Sequence, residues 1–249
     1  QRVNLPLFVE CKQNHNVGVI KIQLGPNNNL ECLSCHKVHQ YPKGSKALVK
    51  NKESVCQLCH PDKADRSSAA DWQKTNHPLY VKYNLDPASN IKLDGGPDNK
   101  VYCFTCHKVH KHEPGTKALA GKRDPLCATC HKAQYRVEDT DHDLSITAKK
   151  EINVLKQTIK ETGVCTACHI PHKATGPYLW ARQVKDPSKL SSPSKLCLTC
   201  HTDKGIAEKK TVGRFTHPVD VAMQDANQLK DPKTLPLYTK TDGTEVMEC

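Results

Sequence analysis

The feature that most constrains this chain is a pair of cysteines, separated by two residues and followed at once by a histidine. This CxxCH motif occurs six times, and the motifs fall into three pairs. The first motif of each pair carries a further histidine three positions on and reads CxxCHxxH. The gap from Cys35 to Cys56 equals that from Cys106 to Cys127, and the gap from Cys168 to Cys197 is longer. The sequence is therefore a threefold repeat of a two-motif unit.

The motif is typical of covalent haem attachment, in which both sulfurs form thioether bonds and the adjacent histidine ligates the iron. Zinc does not require a histidine directly after the second cysteine, whereas all six motifs have one. A disulfide scaffold does not explain a two-residue gap repeated six times. We therefore predict six covalently attached haem c groups. The thioether residues are Cys32, Cys35, Cys56, Cys59, Cys103, Cys106, Cys127, Cys130, Cys165, Cys168, Cys197 and Cys200, and the proximal ligands are His36, His60, His107, His131, His169 and His201.

Six more histidines recur at equivalent places in the three units, three trailing the first motifs and three standing alone after the second motifs. Six irons with two axial histidines each need twelve histidines, and the six proximal histidines together with these six make twelve. The chain has only two methionines, so methionine cannot be the general axial ligand. We predict that these six fill the distal positions: His39, His77, His110, His142, His172 and His217. His36 and His39 would share one helix face and cannot clamp a single iron. Which distal histidine serves which iron stays open.

Four residues fall outside this count. His15 precedes Cys32 much as His77 precedes Cys103, and we predict that it caps a haem upstream or in a neighbouring subunit. Cys11 precedes His15 as in a haem motif with one cysteine missing; a single thioether, a free thiol and a disulfide all remain open. Cys249 is expected to begin a truncated fourth copy. His112 has no counterpart in the other units and is predicted to lie on the surface.

The fold is expected to be mostly irregular, with short α-helices, little β-structure and a core built of stacked haems. Only 37% of residues are hydrophobic, with three Phe and two Trp, which is too few for an ordinary core. One helix is predicted over Thr147–Glu161, with Ile152, Leu155 and Ile159 on one stripe and Gly163 as its C-cap. A short strand is predicted over 17–22. The expected divisions are a segment 1–31, units 32–102, 103–164 and 165–248, and a new unit starting at 249.

The formal charge of +11 suggests an anionic partner until the cofactors are counted. Propionates on six haems would add roughly −12, and ferric iron roughly +6. The lysines are then counter-charges for propionates, and no nucleic-acid motif accompanies them. No apolar run is long enough for a membrane span.

The paired motifs resemble the doubled-CxxCH multihaem cytochromes of bacteria and archaea, from His15 to Cys249. The resemblance implies bis-histidine low-spin haems in stacked and T-shaped pairs, and electron transfer in the periplasm or outside the cell. The resemblance also implies that the partners are other redox proteins or copies of the same chain, because some members of this family polymerise.

We therefore predict an electron carrier rather than an enzyme, with a polymeric wire as a further hypothesis. The alternative is a multihaem oxidoreductase of the nitrite or hydroxylamine type with one open haem site. Some such enzymes use a CxxCK motif there, and none occurs in this sequence.

Overall fold

Most of the three repeat units can be described in detail. The computed structural model describes residues 24–26, 30–37, 39, 41, 43, 46–49, 51–64, 68–70, 73–112, 114–183, 192–210, 221–222, 237–240 and 242–247. Cys11, His15, His217, Cys249 and the strand predicted over 17–22 lie outside these residues.

The described part consists of short helices joined by irregular segments. The α-helices are α1 (Cys32–Cys35), α2 (Lys52–Cys59), α3 (Cys103–Cys106), α4 (Arg123–Ala128), α5 (Leu144–Thr147), α6 (Ile159–Thr162) and α7 (Ser192–Cys197). Single 3₁₀ turns span Pro61–Lys63, Gly96–Asp98, Gln134–Val137, Cys165–Ala167, Pro177–Leu179 and Glu208–Lys210. The prediction of short helices and little strand is confirmed.

The β-structure among the described residues is one small antiparallel sheet near the C-terminal end. It comprises β1 (Val221–Ala222), β2 (Leu237–Thr239) and β3 (Glu245–Met247), in the order β1-β3-β2. β3 pairs with both neighbours, with Met247 opposite Val221 and Leu237. Val246, in the central strand, is fully buried.

Every CxxCH motif forms a helical turn. In all six, the histidine N–H donates to the carbonyl of the first cysteine of its motif, at 2.9–3.1 Å. This bond fixes the histidine one turn beyond that cysteine, so both lie on the same side of the turn.

The helix predicted over Thr147–Glu161 is wrong. α5 ends at Thr147 and α6 begins at Ile159, with a turn between them. The Asn153 side chain causes the interruption, because its Oδ1 accepts from the N–H groups of Leu155 and Gln157 and competes with the helix. Gly163 does cap a helix, but the helix is the short α6, where its φ is 91°.

Few apolar side chains are buried in the described part of the chain. They are Val101, Leu126, Ile159, Val164, Ala167, Ile170, Ala174, Ala181, Leu196 and Val246. None of them is aromatic, and one small cluster forms around Ile170, Ala174 and Ala181. No helix among the described residues has the length and apolar character to span a membrane.

Candidate haem sites

The segment after each first motif folds back on the motif in the same way. In the first unit, Lys37 N–H donates to the Ala47 carbonyl at 2.5 Å, and Val49 N–H donates to the Cys35 carbonyl at 2.9 Å. The second unit repeats both bonds at Lys108 and Ala120, and the third at Ile170 and Ala181. The result is a short bridge that pairs the motif histidine with the fold-back segment in all three units: His36 with Leu48, His107 with Leu119 and His169 with Trp180.

Each fold-back depends on two consecutive residues in the left-handed region. They are Lys46 and Ala47 (φ 54° and 56°), Lys117 and Ala118 (54° and 58°), and Tyr178 and Leu179 (55° and 59°). None is glycine, and a side chain in this region costs about 1–2 kcal/mol per residue. The same strain at the same place in three units indicates that the turn serves a purpose there.

In each first motif the strained turn brings a backbone carbonyl to the ring of the motif histidine, and the second motif of the third unit has a similar contact without that turn. In these four motifs, Nδ1 lies within hydrogen-bond distance of a carbonyl in the segment that follows. The pairs are His36 with Lys46 at 3.2 Å, His107 with Lys117 at 3.1 Å, His169 with Tyr178 at 2.6 Å and His201 with Lys210 at 2.9 Å. A carbonyl can only accept, so this bond assigns the proton to Nδ1 and leaves the Nε2 lone pair for a metal.

The surroundings also favour the neutral imidazoles that ligate metals. Burial lowers the pKa of His107, although the Lys117 carbonyl opposes the shift. Burial lowers the pKa of His172 to about 4, and repulsion from the protonated form of His107 and from the Lys63 ammonium adds to the shift. Both rings are therefore unprotonated at neutral pH.

The structure brings eight of the candidate histidines together as four pairs of rings. The pairs are His36 with His110 (6.2 Å between centroids), His77 with His131 (6.3 Å), His107 with His172 (6.3 Å) and His142 with His201 (6.1 Å). Metal–nitrogen bonds of about 2 Å and imidazole radii of about 1.1 Å place the centroids of two rings on one iron about 6.3 Å apart. The spacing therefore fits one iron between the two rings of each pair.

A family model described as "Doubled CXXCH motif" matches residues 25–65 and 158–206. The "High-molecular-weight cytochrome c" of Nitratidesulfovibrio vulgaris is 26% identical over 148 residues, covering 56% of this chain. These two matches support a multihaem c-type cytochrome. The chain spans about a quarter of the length of that relative, since the matched part is 25% of it. No solved structure matches the chain.

Each ring pair of the cytochrome joins one motif histidine to one of the predicted distal histidines, and the partners always come from adjacent units. Among the described histidines, none pairs with His39, His60 or His169 in this way. The ring next to His169 is Trp180, edge-on at 5.8 Å. His112 is half-buried rather than simply on the surface, and its Nδ1 is enclosed without a hydrogen-bond partner in the described part.

Two acidic residues that sequence reasoning missed anchor each unit to the next. Glu53 in α2 accepts from the Cys103 N–H at 3.1 and 3.3 Å, and Asp124 in α4 accepts from the N–H groups of Val164 and Cys165 at 3.0 and 3.2 Å. Gly163 is required beside Asp124, because a side chain there would collide with the carboxylate. Both acidic residues lie three positions before the first cysteine of a second motif, and this shared position is a signal that the sequence contains.

The motifs contact one another in the order in which they occur along the chain. The neighbouring Cys56 thiol raises the pKa of Cys103, and the neighbouring Cys127 thiol raises the pKa of Cys165. These neighbours connect the second motif of one unit to the first motif of the next.

Within each unit the two motifs are also neighbours. Burial, then the nearby Cys56 thiol, raises the pKa of Cys35. Burial, then Cys127, raises the pKa of Cys106 to about 11. Burial also raises the pKa of Cys168 to about 11, and Cys200 adds to the shift.

The thiols themselves fit the attachment role with one difference. Eleven motif cysteines are free: Cys32, Cys35, Cys56, Cys103, Cys106, Cys127, Cys130, Cys165, Cys168, Cys197 and Cys200. Cys59 is disulfide-bonded in the structure. A sulfur in a disulfide cannot also form a thioether, so the attachment role of Cys59 stays a prediction.

Backbone contacts hold two of the predicted distal histidines, from different pairs, side by side. The His77 N–H donates to the Pro171 carbonyl at 2.8 Å, and the Ala174 N–H donates to the Thr75 carbonyl at 2.9 Å. The buried Asn76 side chain accepts from the Lys173 N–H at 3.2 Å. The segment carrying His77 in the first unit therefore packs against the segment carrying His172 in the third.

Proposed function

We propose that this cytochrome transfers electrons through six covalently attached haems. The electrons pass from haem to haem in the order of the motifs along the chain. When bound, each haem supplies an iron centre that gains and loses one electron. The contribution of the chain is to anchor each haem through two cysteines, to fix its iron between two histidines and to set the order of the sites.

The four histidine pairs carry this proposal. Each pair supplies two imidazoles at a spacing that suits one iron, which leaves no open coordination position for a substrate. Such sites suit electron transfer rather than chemistry at the metal. The Nδ1–carbonyl bonds fix the orientation of four proximal rings before any metal is bound.

The order of the sites rests on the contacts between motifs. Cys35 neighbours Cys56, and Cys56 contacts Cys103, so the first three motifs follow one another without a gap. The remaining motifs follow in the same way, because Cys106 neighbours Cys127, Cys127 neighbours Cys165 and Cys168 neighbours Cys200. The cytochrome therefore offers a single path with two ends rather than a branched cluster.

Intact mass spectrometry with a haem stain tests the cofactor count. We expect six haem masses above the polypeptide, and five after replacing both Cys103 and Cys106 by Ser. Replacing His112, which lies outside the motifs, by Ala is the control and should leave the count at six. A haem count of five in the parent chain would indicate that Cys59 keeps its disulfide, and a colourless protein would refute the function.

We extend the proposal to the repeat units 32–102, 103–164 and 165–248, with stacked haems in place of an apolar core. Haem c is attached outside the cytoplasm, so we propose a periplasmic or extracellular location. Other redox proteins, or copies of the chain in a polymeric wire, are the proposed partners. Electron microscopy of concentrated native material tests the wire, and dispersed particles would count against it.

A multihaem reductase is the second candidate, favoured by one observation. His169 has the edge of Trp180 beside it and no paired histidine among the described residues. An iron held there without a sixth ligand could bind nitrite or hydroxylamine. Reduction of nitrite by the dithionite-reduced protein, with turnover that disappears on cyanide addition, would establish the enzyme.

A further inference from the structure

The third repeat unit holds a buried cation against its first motif. Arg182 directly follows the fold-back segment that ends at Ala181, and it is only 9% exposed. Its Nε donates to the Ala167 carbonyl, inside the motif, at 3.2 Å. The Ala181 N–H donates to the Cys168 carbonyl at 2.8 Å, so the backbone that carries Arg182 is attached to the same motif. Side chain and backbone together fix the guanidinium on this motif.

The charge of this guanidinium is only partly neutralised. Glu151 supplies a carboxylate, but Nη1 of Arg182 and Oε2 of Glu151 are 3.5 Å apart, and the Glu151 side chain is 41% exposed. Nη2 is enclosed and has no hydrogen-bond partner in the part of the chain that the structure describes. Burial raises the pKa of Cys168 to about 11, and the Arg182 charge opposes that shift. The motif therefore lies in the field of a buried positive charge.

The first motif of the second unit offers a comparison within the same chain. Both motifs have the fold-back turn with two left-handed residues. Both also receive a carboxylate at the N–H of their first cysteine, from Glu53 in the second unit and from Asp124 in the third. The residue after the fold-back differs, because Gly121 occupies the place of Arg182 in the second unit. In the first unit this place belongs to Lys50, which lies outside the described residues. Arg182 is therefore a cation that the otherwise similar second-unit site lacks.

We propose that Arg182 raises the reduction potential of the haem held by Cys165 and Cys168, so that this haem is reduced before the similar one at Cys103 and Cys106. The inference rests on the proposed haem function. Reduction adds one electron to ferric iron and gives ferrous iron, so the site becomes less positive by one charge. A buried, incompletely paired cation repels the ferric form more than the ferrous form and thereby favours reduction.

Potentiometric titration of the six-haem chain, followed by absorption, tests this assignment. At an effective dielectric constant of about 20, a unit charge about 10 Å away changes a one-electron equilibrium roughly tenfold, which corresponds to about 59 mV. In Arg182→Gln we expect one component to move down by about that amount, whereas Arg182→Lys keeps the charge and should leave it in place. Glu151→Gln removes the partial counter-charge and should move the same component up. Lys150→Gln removes an exposed cation beside Glu151 and is the control; it should leave this component in place, because solvent screens the charge.

A chain with both Cys165 and Cys168 replaced by Ser identifies the responding haem. It should lack the component, and adding Arg182→Gln to it should move none of the other five. Movement there would overturn the proposal, as would an equal fall in Arg182→Lys, because the bond to Ala167 rather than the charge would then be responsible.

The outcomes separate this proposal from the haem function on which it rests. Six reducible haems whose potentials do not respond to Arg182→Gln would overturn the role of Arg182 and leave the haem function standing. A parent chain without covalent haem would refute the haem function itself. Should Arg182→Gln lose a haem, Glu151→Gln provides the test, since an upward shift supports the proposal and an unchanged potential overturns it.

Discussion

The carboxylate of Glu53 offers a direct way to test how one repeat unit holds the next. Its side chain is only 8% exposed, and it accepts the N–H of Cys103, the first residue of α3. In Glu53→Ala the N–H loses its charged acceptor. Hydrogen bonds to charged groups contribute about 1.5–3 kcal/mol. The local opening of α3 should become easier by that amount.

Hydrogen exchange resolved by peptide is the suitable assay, because it reports local opening rather than global unfolding. A loss of about 1.5–3 kcal/mol predicts exchange about 10- to 150-fold faster over residues 101–107. Glu53→Gln keeps a neutral acceptor and should show roughly half the effect in free energy. Glu53→Asp keeps the charge at the start of α2 but is one methylene shorter, which separates the bond to Cys103 from any effect on α2.

Asp124→Ala is the matched control at the equivalent position of the next unit. It removes the acceptor for Val164 and Cys165, so faster exchange should appear over residues 163–169 and not over 101–107. Unchanged exchange near Cys103 in Glu53→Ala would refute the reasoning. So would equal acceleration of both segments in both variants, because the carboxylates would then act only on global stability.

Three other perturbations give separate tests. His110→Ala should add one CO-binding haem per ferrous chain, because His110 faces the His36 ring, whereas His112→Ala should add none. Ala118→Gly should raise the free energy of unfolding by about 0.5–1 kcal/mol, because φ is 58° at Ala118 and glycine adopts this left-handed conformation without strain. Ala148→Gly should lower the free energy of unfolding, because φ is −141° at Ala148 and alanine is not strained there. Chemical denaturation measures both changes. The Lys52 ammonium holds the pKa of Asp94 below 3.8, so this pair stabilises the fold above that pH and the effect is lost as pH falls through the folded-state pKa. Asp94→Asn should therefore lower the melting temperature at pH 6, and the difference should disappear in acid.

The sequence indicated the kind of site but not how the sites are connected. The CxxCH spacing is typical of covalent haem attachment, which the family match supports, and the role of each motif residue stays a prediction. The segment Gly-Ser-Lys-Ala-Leu at 44–48 recurs as Gly-Thr-Lys-Ala-Leu at 115–119, and this similarity is visible in the sequence. The equivalent segment of the third unit, 176–180, could not be recognised, since only Gly176 is identical. The backbone repeats there nonetheless, with Tyr178 and Leu179 in the left-handed region.

The pairing of histidines could not be read from the sequence because it depends on contacts between units. Nothing in the spacing of His36 and His39 indicates that His110, which belongs to the following unit, faces His36. The predicted helix failed for a related reason. Apolar residues at helical spacing favoured Thr147–Glu161, but one asparagine side chain bonded to the backbone was enough to replace that helix with a turn.

Because each histidine pair joins two adjacent units, the units of this repeat depend on one another more than the units of an ordinary solenoid do. In a stacked repeat each unit buries its apolar face on its neighbours, and the interface contributes part of the stability. In the described part of the chain, none of the four histidine pairs lies within a single unit. The second unit illustrates the consequence. Its His110 and His142 face His36 of the first unit and His201 of the third. Its two motif histidines, His131 and His107, are faced by His77 of the first unit and His172 of the third. Under the proposed function, loss of one unit would therefore remove ligands from haems on both sides, and the units must assemble together for any of these sites to be complete.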